Sequence, residues 1–205
     1  MLYNVCNFIS SGDDIMPPKA EITKEKVLEA AFEIVREHGI EVLTARSIAQ
    51  RLNCSTQPIY SVYGNMEQVK DDVFNRAIDF ALASIKQYDN EKNAPVMNLA
   101  IGCLLFARNE KHLFRTLYLS DYRKHYLKRN NDKLTEEMYA AFLQLDGLSA
   151  IEESKAKKMF FKLFAYWLGI GTMINTNTLE LDIQEATEML EEMYQTLAIK
   201  EGFIS

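Results

Sequence analysis

Residues 44–63 read TARSIAQRLNCSTQPIYSVY. Thr44 suits the N-cap of a short helix whose Ile48, Ala49 and Leu52 return at helical spacing on one side. Asn53 and Cys54 make a tight break. Ser55 is read as the cap of a second short helix that holds Ile59 and Tyr60 inward or at its boundary. Gly64 and Asn65 break the chain again. Two short capped helices a few residues apart, behind a longer amphipathic one, have the anatomy of a helix-turn-helix, whose second helix lies in the major groove of DNA. A plain helical hairpin inside a bundle is the bland alternative. The coincidence of helix length, turn length and caps favours the DNA reading over a motif match alone.

The flanks agree. Upstream, Thr23 can cap a helix whose Val27, Leu28, Ala31, Ile34 and Val35 form one stripe, ended by Gly39. Downstream, Val69, Val73, Phe74, Ala77, Ile78, Ala81 and Ile85 mark a long helix. Between Thr44 and Asn65 stand the cations Arg46 and Arg51 and no acid. The acids of the first helix, Glu25, Glu29, Glu33 and Glu37, lie outside that window. Beyond Asn90 the pattern predicts helices over about 95–109, 110–120, 132–145, 150–176 and 182–200, with breaks at Asp146–Gly147 and at 175–178. No alternating strand pattern and no internal repeat occurs, so the predicted fold class is all-α. The expected organisation is a flexible tail at 1–18, a helix-turn-helix domain at 19–65 and a helical ligand-binding and dimerisation domain at 66–205. The tail has no sustained period, and Met16, followed by Pro17 and Pro18, offers an alternative start.

Composition sets the outer limits. The chain has 205 residues with 23 Lys+Arg against 29 Asp+Glu, a net charge of -6, 48% hydrophobic and 25% charged residues. That is ordinary globular composition, long enough for a sizeable core. The charge excludes a generally basic coat protein but not a local positive face. Eight Gly and four Pro are too few for many short strands. The cysteines Cys6, Cys54 and Cys103 are scattered, so neither a metal knuckle nor a disulfide framework is expected, which fits the cytoplasm. The apolar run from Leu163 to Ile174 falls short of the ~20 residues that span a bilayer. The N-terminus lacks a positive n-region and an A-x-A-like site, so it is not read as a secretory signal.

Residues 22–69, ITKEKVLEAAFEIVREHGIEVLTARSIAQRLNCSTQPIYSVYGNMEQV, resemble the tetracycline-repressor (TetR) family of transcriptional regulators. The resemblance covers about a quarter of the chain; the rest matches that family only in size and helical character. It implies a homodimeric, ligand-responsive regulator, more often a repressor than an activator, acting on double-stranded DNA. Many family members carry a lysine where this chain has Met66, so one phosphate contact is missing and Lys70 offers a partial substitute. Many also carry glycine at the position of Gln57.

Individual roles follow from residue chemistry. Ser55 is expected to accept the Gln57 N–H, with Pro58 near the third helical position, where a missing N–H is harmless. Thr56 and Gln57 then project from the exposed first turn. Gln57 has the geometry to pair with adenine N6 and N7, and Thr56 suits a phosphate or a thymine methyl. Thr44 and Arg46 at a helix N-terminus suit phosphate contact. Tyr60 resembles the family tyrosine that reaches the DNA backbone; from pattern alone a boundary core aromatic fits equally. Ser61 completes the expected contact set. Tyr63 is read as core.

In the body, residues 159–174 (MFFKLFAYWLGIGTMI) are apolar on nearly every side, as expected of a helix buried on both faces. With the stripe of Ala186, Met189, Leu190, Met193 and Leu197 they suggest an intersubunit four-helix bundle, in which Gly169, Gly171, Met189, Met193 and Leu197 meet the partner. The aromatics Phe106, Tyr118, Tyr122, Tyr139, Phe142, Phe164 and Trp167 read as core, or together as a pocket for a small, mostly apolar effector. The basic run 123–133 (RKHYLKRNNDK) reads as a solvated connection, with an anion-attracting pocket rim as the sharper alternative. His38, His112 and His125 have no metal-site spacing, and no glycine loop cradles a phosphate. Hence neither enzyme activity nor a cofactor is expected, and no membrane partner. A helical enzyme or small-molecule carrier, and a protein-binding adaptor, are the other classes compatible with such a body.

Overall fold

The computed structural model describes residues 21–144, 152–178 and 181–201. The expected tail at 1–18, the Asp146–Gly147 break and the start of the 150–176 helix lie outside these residues. Everything regular among the described residues is helical. Helix α1 (Lys24–His38) starts where the Thr23 side chain accepts the Lys26 N–H and stops at Gly39, whose φ of 89° lies in the left-handed region. A short 3-10 turn, Ile40–Val42, leads to α2 (Ala45–Arg51). Thr44 and Ser47 cap it reciprocally: Thr44 Oγ1 accepts the Ser47 N–H at 3.1 Å, and Ser47 Oγ accepts the Thr44 N–H at 2.9 Å. Helix α3 (Gln57–Val62) follows, then α4 (Met66–Lys86), capped by Asn65.

The start of α3 differs from the expectation. Thr56, not Ser55, is the N-cap, and it makes no side-chain capping bond. Asn53 adopts a left-handed φ of 49° and the Cys54 N–H donates to Ala49 O at 3.0 Å, so the chain is still turning back on α2 at Ser55. The first helical bond of α3 runs from the Tyr60 N–H to Thr56 O, which places Pro58 second in the helix rather than third. Its missing N–H remains harmless there.

The body comprises α5 (Pro95–Asn109), α6 (Lys111–Phe114), a π turn (Arg115–Leu119), α7 (Asp121–Leu127), α8 (Lys133–Leu143), α9 (Glu153–Thr176) and α10 (Ile183–Lys200). The single helix expected over 110–120 is thus a helical turn that widens into a π turn. Residues 123–127 belong to α7, and only 128–132 form a connection, largely exposed. Ser120 caps α7 by accepting the Arg123 N–H, and three cations of the run are paired with carboxylates. Arg123 meets Asp132 at 2.7 Å, Arg129 meets Glu67 at 2.9 Å and Asp71 at 2.8 Å, and Lys133 meets Asp79 at 2.7 Å. Tyr122 donates to Asp71 at 2.6 Å and Tyr126 to Asn75 at 2.5 Å. Helix α7 and its flank are therefore laced to α4, and the anion-attracting rim is withdrawn for Arg123, Arg129 and Lys133.

One hydrophobic cluster runs from Val27 in α1 to Ala198 in α10. It passes from the first three helices into the body without interruption, through Val69, Phe74 and Ile85 of α4. Gly102 is the closest approach: a Cβ there would lie 2.3 Å from the Ile85 carbonyl oxygen, so α5 packs backbone to backbone on α4. Buried Asn175 of α9 donates to the carbonyls of Ala107 and Lys111 and accepts from Arg115, closing the end of α5.

Candidate nucleic-acid interface and internal cavity

Helix α3 is anchored by one face and offers the other. Ile59 and Tyr63, one turn apart, are fully buried, and the Tyr63 hydroxyl donates to Asp72 at 3.1 Å. Gln57, Tyr60 and Ser61, related by three and four residues, share the outer face and are exposed, Tyr60 at 48%. Tyr63 is core, as read from the sequence. Tyr60 is not a boundary aromatic of the core. Thr56 is half-buried and Ser55 exposed on the approach to the same face.

The charges divide unequally. Arg51 is bound by both nitrogens of its fork to Glu37 of α1, and this hydrogen bond holds the Glu37 carboxyl below its ordinary range. Arg46 is exposed on α2 and has no carboxylate partner among the described residues. Thr44 is exposed, with its hydroxyl engaged in the capping box. Lys70, one turn into α4 from Met66, is half-buried with its ammonium 5.7 Å from the Tyr122 ring. The positive character read across the turn thus reduces to Arg46: the distant Glu37 is brought beside Arg51 by the packing of α1 on α2.

In the body, α5, α8, α9 and α10 line a partly open cavity of about 70 Å³. Met97 and Cys103, Met138 and Phe142, Phe164 and Trp167, and Leu190 and Tyr194 form most of its wall. Of the aromatics read as a pocket, Phe142, Phe164 and Trp167 line it. Phe106 is buried elsewhere in the core, and Tyr122 is turned to Asp71. Tyr118 stands behind the wall, 5.2 Å from Trp167 between ring centres, with its hydroxyl on the Met138 sulfur. Tyr139 packs on Phe160 outside it. The predicted set lacks Phe160, Tyr194 and the aliphatic part of the wall; Met97, Ala100 and Leu104 recur at helical spacing in the sequence, yet only the first two border the void, which a stripe alone does not say.

No protein-family model matches the sequence, and no curated protein does. Solved structures do. A TetR-family member from Streptomyces coelicolor is similar over 86% of this chain and 98% of its own, with a TM-score of 0.62 at 16% identity. The multidrug binding protein EbrR, solved with imidazole, matches over 82% of this chain and 93% of its own, with a TM-score of 0.60 at 16% identity. MexZ of Pseudomonas aeruginosa, described as a repressor responsible for antibiotic resistance, matches over 84% and 93%, with a TM-score of 0.53 at 19% identity.

The fold is that of the TetR-family regulators.

Within this TetR-type fold the residues assigned to a subunit contact separate into two groups. Gly171 is buried, and a Cβ there would lie 3.3 Å from Phe114 Cε2 and 3.5 Å from Ala107 Cβ. It faces its own protomer, as does buried Leu197. Gly171 thus packs on α5 and α6, and Leu197 belongs to the common buried cluster. Gly169 has nothing within 4 Å of its Cβ position among the described residues, and Met189 and Met193 are half-buried. Helix α9 is not buried all round: Phe161 is 48% exposed, and Ile199 on α10 is 58% exposed. Among the described residues no helix is long and apolar enough to cross a membrane, and no His, Cys, Asp and Glu group could hold a metal.

Proposed function

We propose that this protein is a sequence-specific DNA-binding transcriptional regulator, a homodimeric repressor whose body binds a small, mostly apolar effector. The observation that carries this reading is the two-faced α3, with Ile59 and Tyr63 buried and Gln57, Tyr60 and Ser61 exposed beside a capped α2. Gln57 reads a base edge, and Tyr60, Ser61, Ser55, Thr56, Thr44, Arg46 and Lys70 position the helix on the backbone. Residues up to Asn65 form the reader and those from Met66 the effector and dimer body. Two readers related by a two-fold axis imply a palindromic operator, with half-sites about one helical turn (~34–36 Å) or a multiple apart. The exposed apolar surface of α9 and α10, including Gly169, Met189 and Met193, supports pairing of two copies. An effector acts by favouring one separation of the two readers over another. Such a protein works in the cytoplasm and needs neither a cofactor nor a catalytic residue.

A gel-shift against genomic fragments at low and moderate salt tests the reading. A retarded fragment with a palindromic site is the expected result. Binding of a protein partner without any DNA shift would favour the adaptor reading, and turnover of a small molecule would favour the enzyme.

A further inference from the structure

Three carboxylates stand in the first two turns of α4: Glu67, Asp71 and Asp72. They share that stretch with Lys70, the cation proposed to meet the DNA backbone. A helix that begins with three acids repels phosphate. Glu67, three residues before Lys70, is also its natural ion-pair partner along the helix. The structure directs each acid elsewhere. Arg129 sends Nη1 to Glu67 at 2.9 Å and Nη2 to Asp71 at 2.8 Å. Tyr122 donates its hydroxyl to the same Asp71 oxygen at 2.6 Å. Lys24 takes Asp72 at 2.9 Å. Lys70 is left with no carboxylate at ion-pair distance among the described residues, its ammonium 5.7 Å from the centre of the Tyr122 ring.

Two of these three neutralising groups come from the body and not from the reader. Tyr122 stands in the first turn of α7, and Arg129 follows the end of that helix. The guanidinium is 33% exposed, and its Nη2 lies 3.4 Å from the Tyr122 hydroxyl. Its planar fork is therefore held between two acids and a phenol. We propose that Arg129 is a positioning residue for DNA binding: by holding Glu67 and Asp71 it keeps Lys70 available to a backbone phosphate, so a residue of the body sets part of the reader's grip. The inference rests on the DNA-binding reading and adds a residue that serves it without touching the nucleic acid. With Arg129 gone, Glu67 captures the Lys70 ammonium, and Asp71 keeps a negative charge beside the phosphate path.

Affinity for a mixed-sequence duplex, read by fluorescence anisotropy over a series of salt concentrations, tests this. Each phosphate contact contributes about 0.9 to the slope of log affinity against log salt, roughly eightfold in affinity at ~0.1 M salt. Lys70→Gln is expected to lose that much per protomer. Arg129→Gln, which keeps a long polar side chain, should lose as much and flatten the slope equally. Adding Glu67→Gln and Asp71→Asn to Arg129→Gln should restore both. Glu67→Gln with Asp71→Asn alone should bind tighter than the unsubstituted protein, with a steeper slope, and carries the test if Arg129→Gln does not fold. Unchanged affinity and slope in Arg129→Gln, or in that double variant, overturns the proposal. So does a triple variant as weak as Arg129→Gln, because Arg129 then acts other than by neutralising these acids. An unsubstituted protein that binds no duplex removes the regulator reading and this inference with it; DNA binding that is indifferent to Arg129 removes this inference alone.

Discussion

Arg36 of α1 grips Glu110, at the junction of α5 and α6, with two hydrogen bonds: Nε to Oε2 at 3.0 Å and Nη2 to Oε1 at 2.7 Å. The guanidinium also lies 4.8 Å from the Phe80 ring of α4. One side chain thus ties the first helix of the reader to the body at two places. Glu110→Gln keeps the shape and removes the charge. With Arg36 39% exposed, water screens part of the attraction, and the expected loss is about 1 kcal/mol. Arg36→Ala should cost about 2 kcal/mol because the stacking on Phe80 goes as well. Urea unfolding of both single variants and the double variant checks this; full additivity would show that the two side chains do not act as a pair.

The two glycines of α9 should behave differently. Gly171→Ala sets a methyl group 3.3 Å from Phe114 and 3.5 Å from Ala107, tight enough to offset the ~0.5–1 kcal/mol that alanine gains in a helix, so no net gain is expected. Gly169→Ala meets open space and replaces a poor helix former, so a gain of ~0.5–1 kcal/mol is expected. A bulky Gly169→Leu instead probes the subunit contact. Analytical ultracentrifugation should show a weaker dimer with an unchanged protomer fold. A melting temperature that rises no further for Gly169→Ala than for Gly171→Ala would contradict this assignment of faces.

Gly102 admits no side chain at all. A Cβ would sit 2.3 Å from the Ile85 carbonyl oxygen, and neither backbone can yield without parting α4 from α5. Gly102→Ala is expected to cost ~2–3 kcal/mol, at the upper end of overpacking. Loss of soluble expression or a large drop in thermal midpoint is the expected readout; a neutral substitution would mean the two helices are further apart.

Stability should fall on the alkaline side. Burial first, and then the hydrogen bonds to Asp72 and Asp71, hold the Tyr63 and Tyr122 hydroxyls protonated well above the ordinary tyrosine range. In the unfolded chain both ionise near pH ~10. Their contribution is therefore fully present below about pH 10 and is lost as the pH rises from there toward the folded-state values. Thermal melts across that range should decline, and the double variant Tyr63→Phe, Tyr122→Phe should decline less steeply. Identical slopes would remove these tyrosines from the account.

Base reading and backbone positioning leave different signatures. Gln57→Ala should cost roughly 1–3 kcal/mol per half-site and relax preference at one base pair. Tyr60→Phe and Arg46→Ala should weaken all sequences alike, and Arg46→Ala should flatten the salt slope by about one unit per half-site. Affinities on single-base operator variants at several salt concentrations separate the two. A Gln57→Ala protein that keeps its full base preference shows that Gln57 touches the backbone.

What the sequence disclosed depended on how local the determining interactions were. Helices α1, α2, α4 and α10 are set by caps and stripes within a few residues, and they stand where Thr23, Thr44, Asn65 and Asp182 start them. Helix α7 was read as a connection because its partners Glu67, Asp71 and Asn75 are 51 or more residues away. The same limit hid the Glu37 partner of Arg51. For Gly171 the sequence showed a small residue among large ones, which permits a close approach but does not say whether Phe114 or a second subunit makes it. The cavity was half legible: Phe142, Phe164 and Trp167 stood out by size, while the aliphatic side chains opposite them look like any other core.

Because Arg51 is bound to Glu37, the α2–α3 segment would, in the proposed function, meet DNA with Arg46 as its free guanidinium among the described residues. Attachment to random sequence grows with each phosphate a protein neutralises. On that reading a head so sparingly charged would linger little on the bulk of a chromosome. Its search for a target would proceed by brief three-dimensional encounters more than by sliding along the duplex. Few copies would be held in reserve on irrelevant sites, so occupancy of a target would follow the number of molecules in the cell closely, with little buffering of a modest change in synthesis or turnover.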